Sequence, residues 1–314
     1  MKKDFNILNY FNMRSLFLGV GLSKVLIDAK EMFWVALILG TLIGVIILKF
    51  IHIELKCKIV NTIIASIFFA IGLMFLLNMI TTMYLTEMPK FAAGIPIVLL
   101  VIYVMSKKET TIFRVSNILI VINVTLFIAM FLSLIHCIDF VNFNFTNTPI
   151  KNVIFASLEY AIFSTVPTFI TRHKKFSDES LIKTYLISSV TMGLLFFLTY
   201  GMLGPGLIEI YRYPEYIILK EVTFFDTLAN LENFISFIWI FDVIIFLISC
   251  ANTIKKSINN NKYTYAIIIG LLFLVSYLNK FYEYIISTYK YGFYILASCL
   301  LVLFIFNRKT HQDN

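Results

Sequence analysis

Charge is scarce in this chain. Only 14% of its 314 residues are Asp, Glu, Lys or Arg, where a soluble domain carries roughly a quarter. That shortfall excludes a large soluble globule, which would have to bury several windows of roughly 18 or more uncharged residues in protein alone. Cysteine is rare too. Cys57, Cys137, Cys250 and Cys299 show neither CxxC nor metal-ligand spacing, which excludes a zinc ribbon or a thioredoxin-like motif and argues against a structural disulfide. The four histidines are scattered, so no metal site and no cofactor is expected. A nucleophile elbow, an HExxH pair, a Walker A loop and a dinucleotide fingerprint are all missing. With no cluster of acids, histidines or cysteines at one interface either, no enzyme is expected. No soluble domain, long linker or low-complexity tract interrupts the chain.

What remains is apolar. Hydrophobic residues make up 60% and the mean hydropathy is +0.87. Ten apolar stretches stand out, at about 12–28, 32–51, 60–84, 92–106, 112–136, 153–170, 182–203, 227–252, 263–281 and 285–306. They are continuous rather than alternating, which excludes a β-barrel. The expected fold is a single all-α integral membrane domain of ten transmembrane helices. The fourth stretch is short, with Gly94 and Pro96 at its start. External links worth noting are an asparagine-rich segment at about 137–152 and the longest one, from Leu203 to about Asp226. In the latter, Gly204-Pro205-Gly206 and the amphipathic residues after it predict a short helix at the outer surface. The lipid bilayer is therefore the first partner, and the formal net charge of +8 has a topological cause rather than a nucleic-acid one.

The positive-inside rule supplies that cause. With a cytoplasmic N-terminus and ten alternating spans, the inner side takes most of the 26 basic residues. These include Lys2, Lys3, Arg14, Lys49, Lys56, Lys58, Lys107, Lys108, Arg114, the Arg172–Lys175 cluster, Lys255, Lys256, Arg308 and Lys309. Glu209, Glu215, Glu221, Asp226 and Glu232 fall outside. Shifting the count by one in mid-chain puts a basic cluster on the wrong side. Both termini are expected to be cytoplasmic.

The first span, within RSLFLGVGLSKVLID (14–28), carries Gly19 and Gly21 and meets Lys24 early. A smooth crossing needs about 20 mostly apolar residues. The start resembles a signal peptide, but no small-residue cleavage site follows and charged residues lead straight into the next span, so it is read as retained. Two readings of the glycines stand: close helix packing, or a helix broken near the midplane whose freed backbone groups bind a solute. An inverted repeat of five spans pairs this segment with the sixth span, NVIFASLEYAIFSTVPTFI (152–170). That span holds Glu159 in its middle and Pro167 near one end. An acid at that depth costs about 2.5–3.5 kcal/mol on insertion scales and should face the interior. Proline lacks an N–H and disfavours a regular helix before it. The first and sixth helices are accordingly expected to be broken, in repeats covering about 12–136 and 153–306.

Gly19, Val20, Gly21, Ser157 and Glu159 are the expected substrate-binding residues. Asp242, deep in the eighth span, is either a proton or ion coupling group or a hydrogen-bonded structural acid. Lys24 is a candidate partner for either acid, or it snorkels to the interface. Asn78, Thr81, Thr82, Asn117 and Asn123 are expected to bond between helices.

The stretch GPGLIEIYRYPEYIILKEVTFFDTLANLENFISFIWIF (204–241) resembles the B subunits of spore germinant receptors, the GerAB-type spore germination permeases. The shared positions are Gly204, Pro205, Tyr213, Pro214, Leu228, Leu231, Glu232 and Trp239. MSKKETTIFRVSNILIVINV (105–124), with Arg114, resembles the family's fourth-to-fifth link, and Glu159 with Pro167 fits its sixth span. Leu158 stands where members commonly have Gly. The resemblance implies membership of the amino acid–polyamine–organocation superfamily, with a LeuT-like fold of two inverted five-span repeats. It also implies a role as a spore inner-membrane subunit that senses a small nutrient, often an amino acid, beside an A-type subunit and a lipoprotein C-type subunit. A proton-coupled amino-acid permease of the same fold is the alternative, and a scaffold subunit with a decayed site a weaker one.

Overall fold

The structure is a computed structural model. It describes residues 2–17, 22–50, 58–107, 109–143, 148–171, 178–211, 213–220, 231–259, 261–279, 294–295 and 297–302. Among these the chain is all-helical. In chain order the helices are α1 (Lys2–Ser15), α2 (Leu22–Ala29), α3 (Phe33–Phe50), α4 (Lys58–Met83), α5 (Lys90–Ser106) and α6 (Glu109–Leu134). They continue with α7 (Ile150–Thr171), α8 (Asp178–Ile210), α9 (Pro214–Leu219), α10 (Leu231–Ile258) and α11 (Asn261–Leu278). Long apolar runs become helices because only a helix satisfies every backbone N–H and C=O within its own segment. Four segments are long and apolar enough to cross a membrane: Leu22–Lys49, Lys58–Met83, Thr110–Cys137 and Glu179–Ile210. Lys90–Ser106 and Lys262–Leu278 are shorter apolar helices.

Two packing groups emerge. α3 lies along α7 and also touches α8, while α1 and α2 both pack on α7 and α8. The second group joins α4, α5, α10 and α11, with α4 and α10 making its most extensive contact. α1 crosses from the first group to α6 and α10. Between apolar helices in lipid, close van der Waals fit replaces the hydrophobic effect as the driving force. Gly40 and Gly44 provide it on α3, in a G-x-x-x-G spacing. A Cβ on Gly40 would sit 2.7 Å from the Ser157 carbonyl oxygen and 2.9 Å from Tyr160 Cδ1 on α7, and one on Gly44 would collide with the Tyr185 hydroxyl on α8.

The expected break in the sixth span is not there. α7 is continuous from Ile150 to Thr171, with Pro167 inside it. Hydroxyls on neighbouring turns take up carbonyls around the proline. Ser164 Oγ donates to the Tyr160 and Ala161 oxygens at 2.7 and 3.1 Å, Thr165 Oγ1 to Ala161 at 2.7 Å, and Thr168 Oγ1 to Thr165 at 2.6 Å. Proline inside a membrane helix is tolerated where packing and local adjustment accommodate it. The first span, in contrast, is served by two helices, since α1 closes at Ser15 and α2 opens at Leu22. Gly19, Val20 and Gly21 lie outside the described residues.

A break occurs instead in α8. Gly204 has φ 66° and ψ 175°, a region open to glycine and costly for other residues. Its freed neighbour carbonyl is capped from the 137–143 link. Gly201 O accepts from Asn142 Nδ2 at 2.8 Å and from the Asp139 N–H at 3.0 Å. Pro205 then opens the final turns, where a missing N–H costs nothing. The expected outer-surface helix is α9, but it is tucked in rather than laid on the surface: Pro214, Glu215, Tyr216, Ile218 and Leu219 are buried.

Gly40→Ala is expected to lower stability by about 1–3 kcal/mol through overpacking against α7, whereas Gly270→Ala, with nothing within 4 Å of the added carbon, should be near neutral. Thermal unfolding of the detergent-solubilised variants measures both.

Candidate functional site

Two polar centres lie inside the apolar bundle, each built around one of the acids picked out in the sequence. Asp242 projects from the middle of α10 and is fully buried. Its cation is Arg14, the penultimate residue of α1 and itself 1% exposed. Arg14 Nη2 lies 3.8 Å from Asp242 Oδ2. Asn123 of α6 ties the two together, donating through Nδ2 to both carboxylate oxygens at 3.1 and 3.2 Å and accepting from Arg14 Nη1 at 2.9 Å. Arg14 Nη1 also donates to the Tyr10 hydroxyl at 2.5 Å, one turn earlier on the same helix, with the guanidinium over the Tyr10 ring at 4.9 Å. Tyr10 in turn donates to Thr191 Oγ1 of α8 at 3.3 Å. A chain of polar contacts therefore runs α8–α1–α6–α10 through the interior. Arg14 Nε remains without a hydrogen-bond partner.

Arg14 thus corrects the sequence reading, which counted it as an inner-link charge. Lys24 is corrected as well: it pairs with Asp28 at 2.5 Å, four residues on in α2, and forms no ion pair with Glu159 or Asp242. Asp242 is matched by a fixed guanidinium and an amide, so its carboxylate is compensated in place. A buried charge without such compensation is strongly unfavourable.

The second centre has the opposite character. Glu159, in the middle of α7, is fully buried, and neither of its carboxylate oxygens has a hydrogen-bond partner. α2 packs on α7 and brings the Lys24–Asp28 pair into electrostatic range of it. Ser157, two residues earlier, is buried too, but its hydroxyl is committed to the Ile154 carbonyl of its own helix at 2.7 Å. The structure brings Ser157 and Glu159 onto one helix beside α2 and leaves Asp242 in the separate α1–α6–α10 centre.

Of the residues expected to bond between helices, Asn123 does so through Arg14 and Asp242. Asn78 donates to Asn279 Oδ1 at 2.6 Å and accepts from Lys90 Nζ at 2.6 Å. Thr81 turns back on its own helix, donating to the Leu77 carbonyl at 2.8 Å. Sequence reasoning missed Arg14, Tyr10 and Thr191. A signal was present: a deeply buried acid calls for a cation, and Tyr10 and Arg14 stand four apart on one helical face. Among the described residues no group of three His, Cys, Asp or Glu is assembled.

Replacing Arg14 by Met while Asp242 remains is expected to destabilise the protein by about 3–5 kcal/mol, the cost of a buried charge stripped of its partner. Arg14→Met with Asp242→Leu should recover most of the loss. A double-mutant cycle on thermal or denaturant unfolding reads the coupling.

No known family model matches the chain, and no curated protein matches it significantly.

Proposed function

We propose that the chain is a membrane subunit of a spore germinant receptor. In this reading it is built as a LeuT-like pair of inverted five-span repeats with both termini cytoplasmic. It binds a small nutrient, an amino acid being the leading candidate, and triggers germination in the spore inner membrane with A-type and lipoprotein C-type subunits. The sixth span contributes an intact helix with a buried acid.

Support for the repeat comes from the packing. Taking α1 with α2 as span one, α3 to α6 as two to five, α7 and α8 as six and seven, and α10 and α11 as eight and nine, exchange of the two halves turns several of the main contacts into others. α3 on α7 becomes α8 on α1 and α2, and α5 on α10 becomes α11 on α4. The α4–α10 and α5–α11 contacts map onto themselves. All of these packings occur.

The observation that carries the ligand site is Glu159, a fully buried acid with no hydrogen-bond partner on either oxygen, on the helix against which α2 packs. An intramembrane acid in that condition favours a cationic or hydrogen-bond-donating solute group beside it. The ammonium end of an amino acid meets that demand. Its carboxylate end would face the Gly19–Val20–Gly21 segment, where free N–H groups at a helix start favour an anion. Binding then shifts the balance between two arrangements of the helix groups by its differential affinity for them.

The same unpartnered acid favours a second reading, a proton-coupled amino-acid permease, because a carboxyl without a fixed counter-charge is free to exchange a proton. Reconstitution separates the two. Binding of labelled amino acids to the purified protein without flux into liposomes supports the receptor, and uptake driven by a proton gradient supports the permease. Glu159→Gln is expected to shift the germination or uptake dose-response by about tenfold or more, the equivalent of one charged hydrogen bond. An unchanged curve removes Glu159 from the site.

A further inference from the structure

α1 is an unusual element. Its sequence, KKDFNILNYFNMRS, is the most polar of the long helices, yet Leu8 to Ser15 are all buried. Hydropathy does not hold such a helix inside an apolar bundle; specific polar contacts must. Two sets of those contacts stand out. Toward α8, Tyr10 reaches Thr191, and Asn6 accepts from Ser180 Oγ at 2.8 Å. Toward α6 and α10, Arg14 forms a polar knot with Asn123 and Asp242.

That knot is under-satisfied. The Arg14 guanidinium has five donors. Nη1 makes two short bonds, Nη2 approaches the acid at 3.8 Å only, and Nε has no hydrogen-bond partner. A fork-on-fork arginine–carboxylate pair would place two bonds near 2.8 Å. The pair is therefore complete in charge and incomplete in hydrogen bonding, so separating it sacrifices few directed bonds while uncovering two opposite charges. α1 ends one residue beyond Arg14, and α2 begins as a separate helix.

We infer that Arg14 acts as a tethered counter-cation whose contact with Asp242 latches the N-terminal helix α1 onto α6 and α10, so that separation of this pair is the step that releases α1 from the bundle. The latch depends on the charge pair and not on the nature of the ligand, so it stands or falls independently of the reading of Glu159. Arg14 is a positioning residue here: it touches protein groups alone, and it sets where α1 sits.

The test uses the full chain in membranes, with the native cysteines replaced and a single cysteine introduced at Phe11 on α1 or at Phe68 on α4, both fully buried. Labelling by a small water-soluble thiol reagent reports exposure. Asp242→Asn is expected to raise the labelling rate at position 11 by an order of magnitude or more and to leave position 68 unchanged. Position 11 remaining protected overturns the latch. So does an equal rise at both positions, which marks general loosening of the fold. Chemical rescue gives a second arm. Low millimolar guanidinium ion should restore protection at position 11 in Arg14→Ala by filling the vacated site. It should do nothing in Arg14→Ala combined with Asp242→Asn, where the anion that holds it is gone. Equal rescue in both variants, or in neither, overturns the proposal. Should Arg14→Ala fail to fold, the Asp242→Asn comparison decides alone.

Discussion

A guanidinium and a carboxylate share a buried interior, and much of the arrangement follows from keeping them together. Neither ion is tolerable alone at that depth. Arg14 lies on α1, Asp242 on α10 and the bridging Asn123 on α6, so their joint burial obliges three helices far apart in sequence to meet at one level. Tyr10 extends the obligation to α8. The apolar residues around these helices allow many packings. The polar contacts select among them, because a slip by one turn would leave a charge unmatched while costing little in dispersion.

The second constraint is steric. α3 approaches α7 and α8 through Gly40 and Gly44, close enough that a single added carbon meets a backbone oxygen or a tyrosine hydroxyl. Tyr185, the residue over Gly44, shares a 3.0 Å hydrogen bond with Ser164 of α7. The close approach therefore places the Tyr185 hydroxyl against the turn of α7 that precedes Pro167. Packing and backbone satisfaction reinforce each other, and the intact α7 presents Glu159 on a rigid support. An interruption appears at Gly204, where the link through Asp139 and Asn142 caps the end of the main α8 helix.

Two acids of similar depth thus carry different chemistry. Asp242 is matched, and its surroundings are those of a structural joint. Glu159 has no hydrogen-bond partner on either carboxylate oxygen, and this is the condition on which the proposed ligand site rests. From the chain alone Glu159 is expected to bind substrate and Asp242 to be a coupling or structural acid, each being an acid amid apolar residues. What separates them is the identity of their neighbours from other helices.

Hydropathy was enough to mark the apolar stretches, and described helices lie on each of them; the burial of Glu159 and Asp242 was legible as well, because an acid inside a long apolar run has nowhere to face but inward. The proline at 167 misled, since its local cost is plain in sequence while α7 runs on through it. Arg14 misled more deeply: hydropathy sums residues along the chain, and α1 is polar by that sum. Its burial comes from partners more than a hundred residues away, Asn123 and Asp242, which no local window contains. The sequence by itself determined that this protein is helical and apolar enough for a membrane, because backbone hydrogen bonding and apolar length are properties of single segments. The tertiary structure alone decided which charge answers which and where the helix interruptions fall, because ion pairing, capping and close packing are properties of segments brought together.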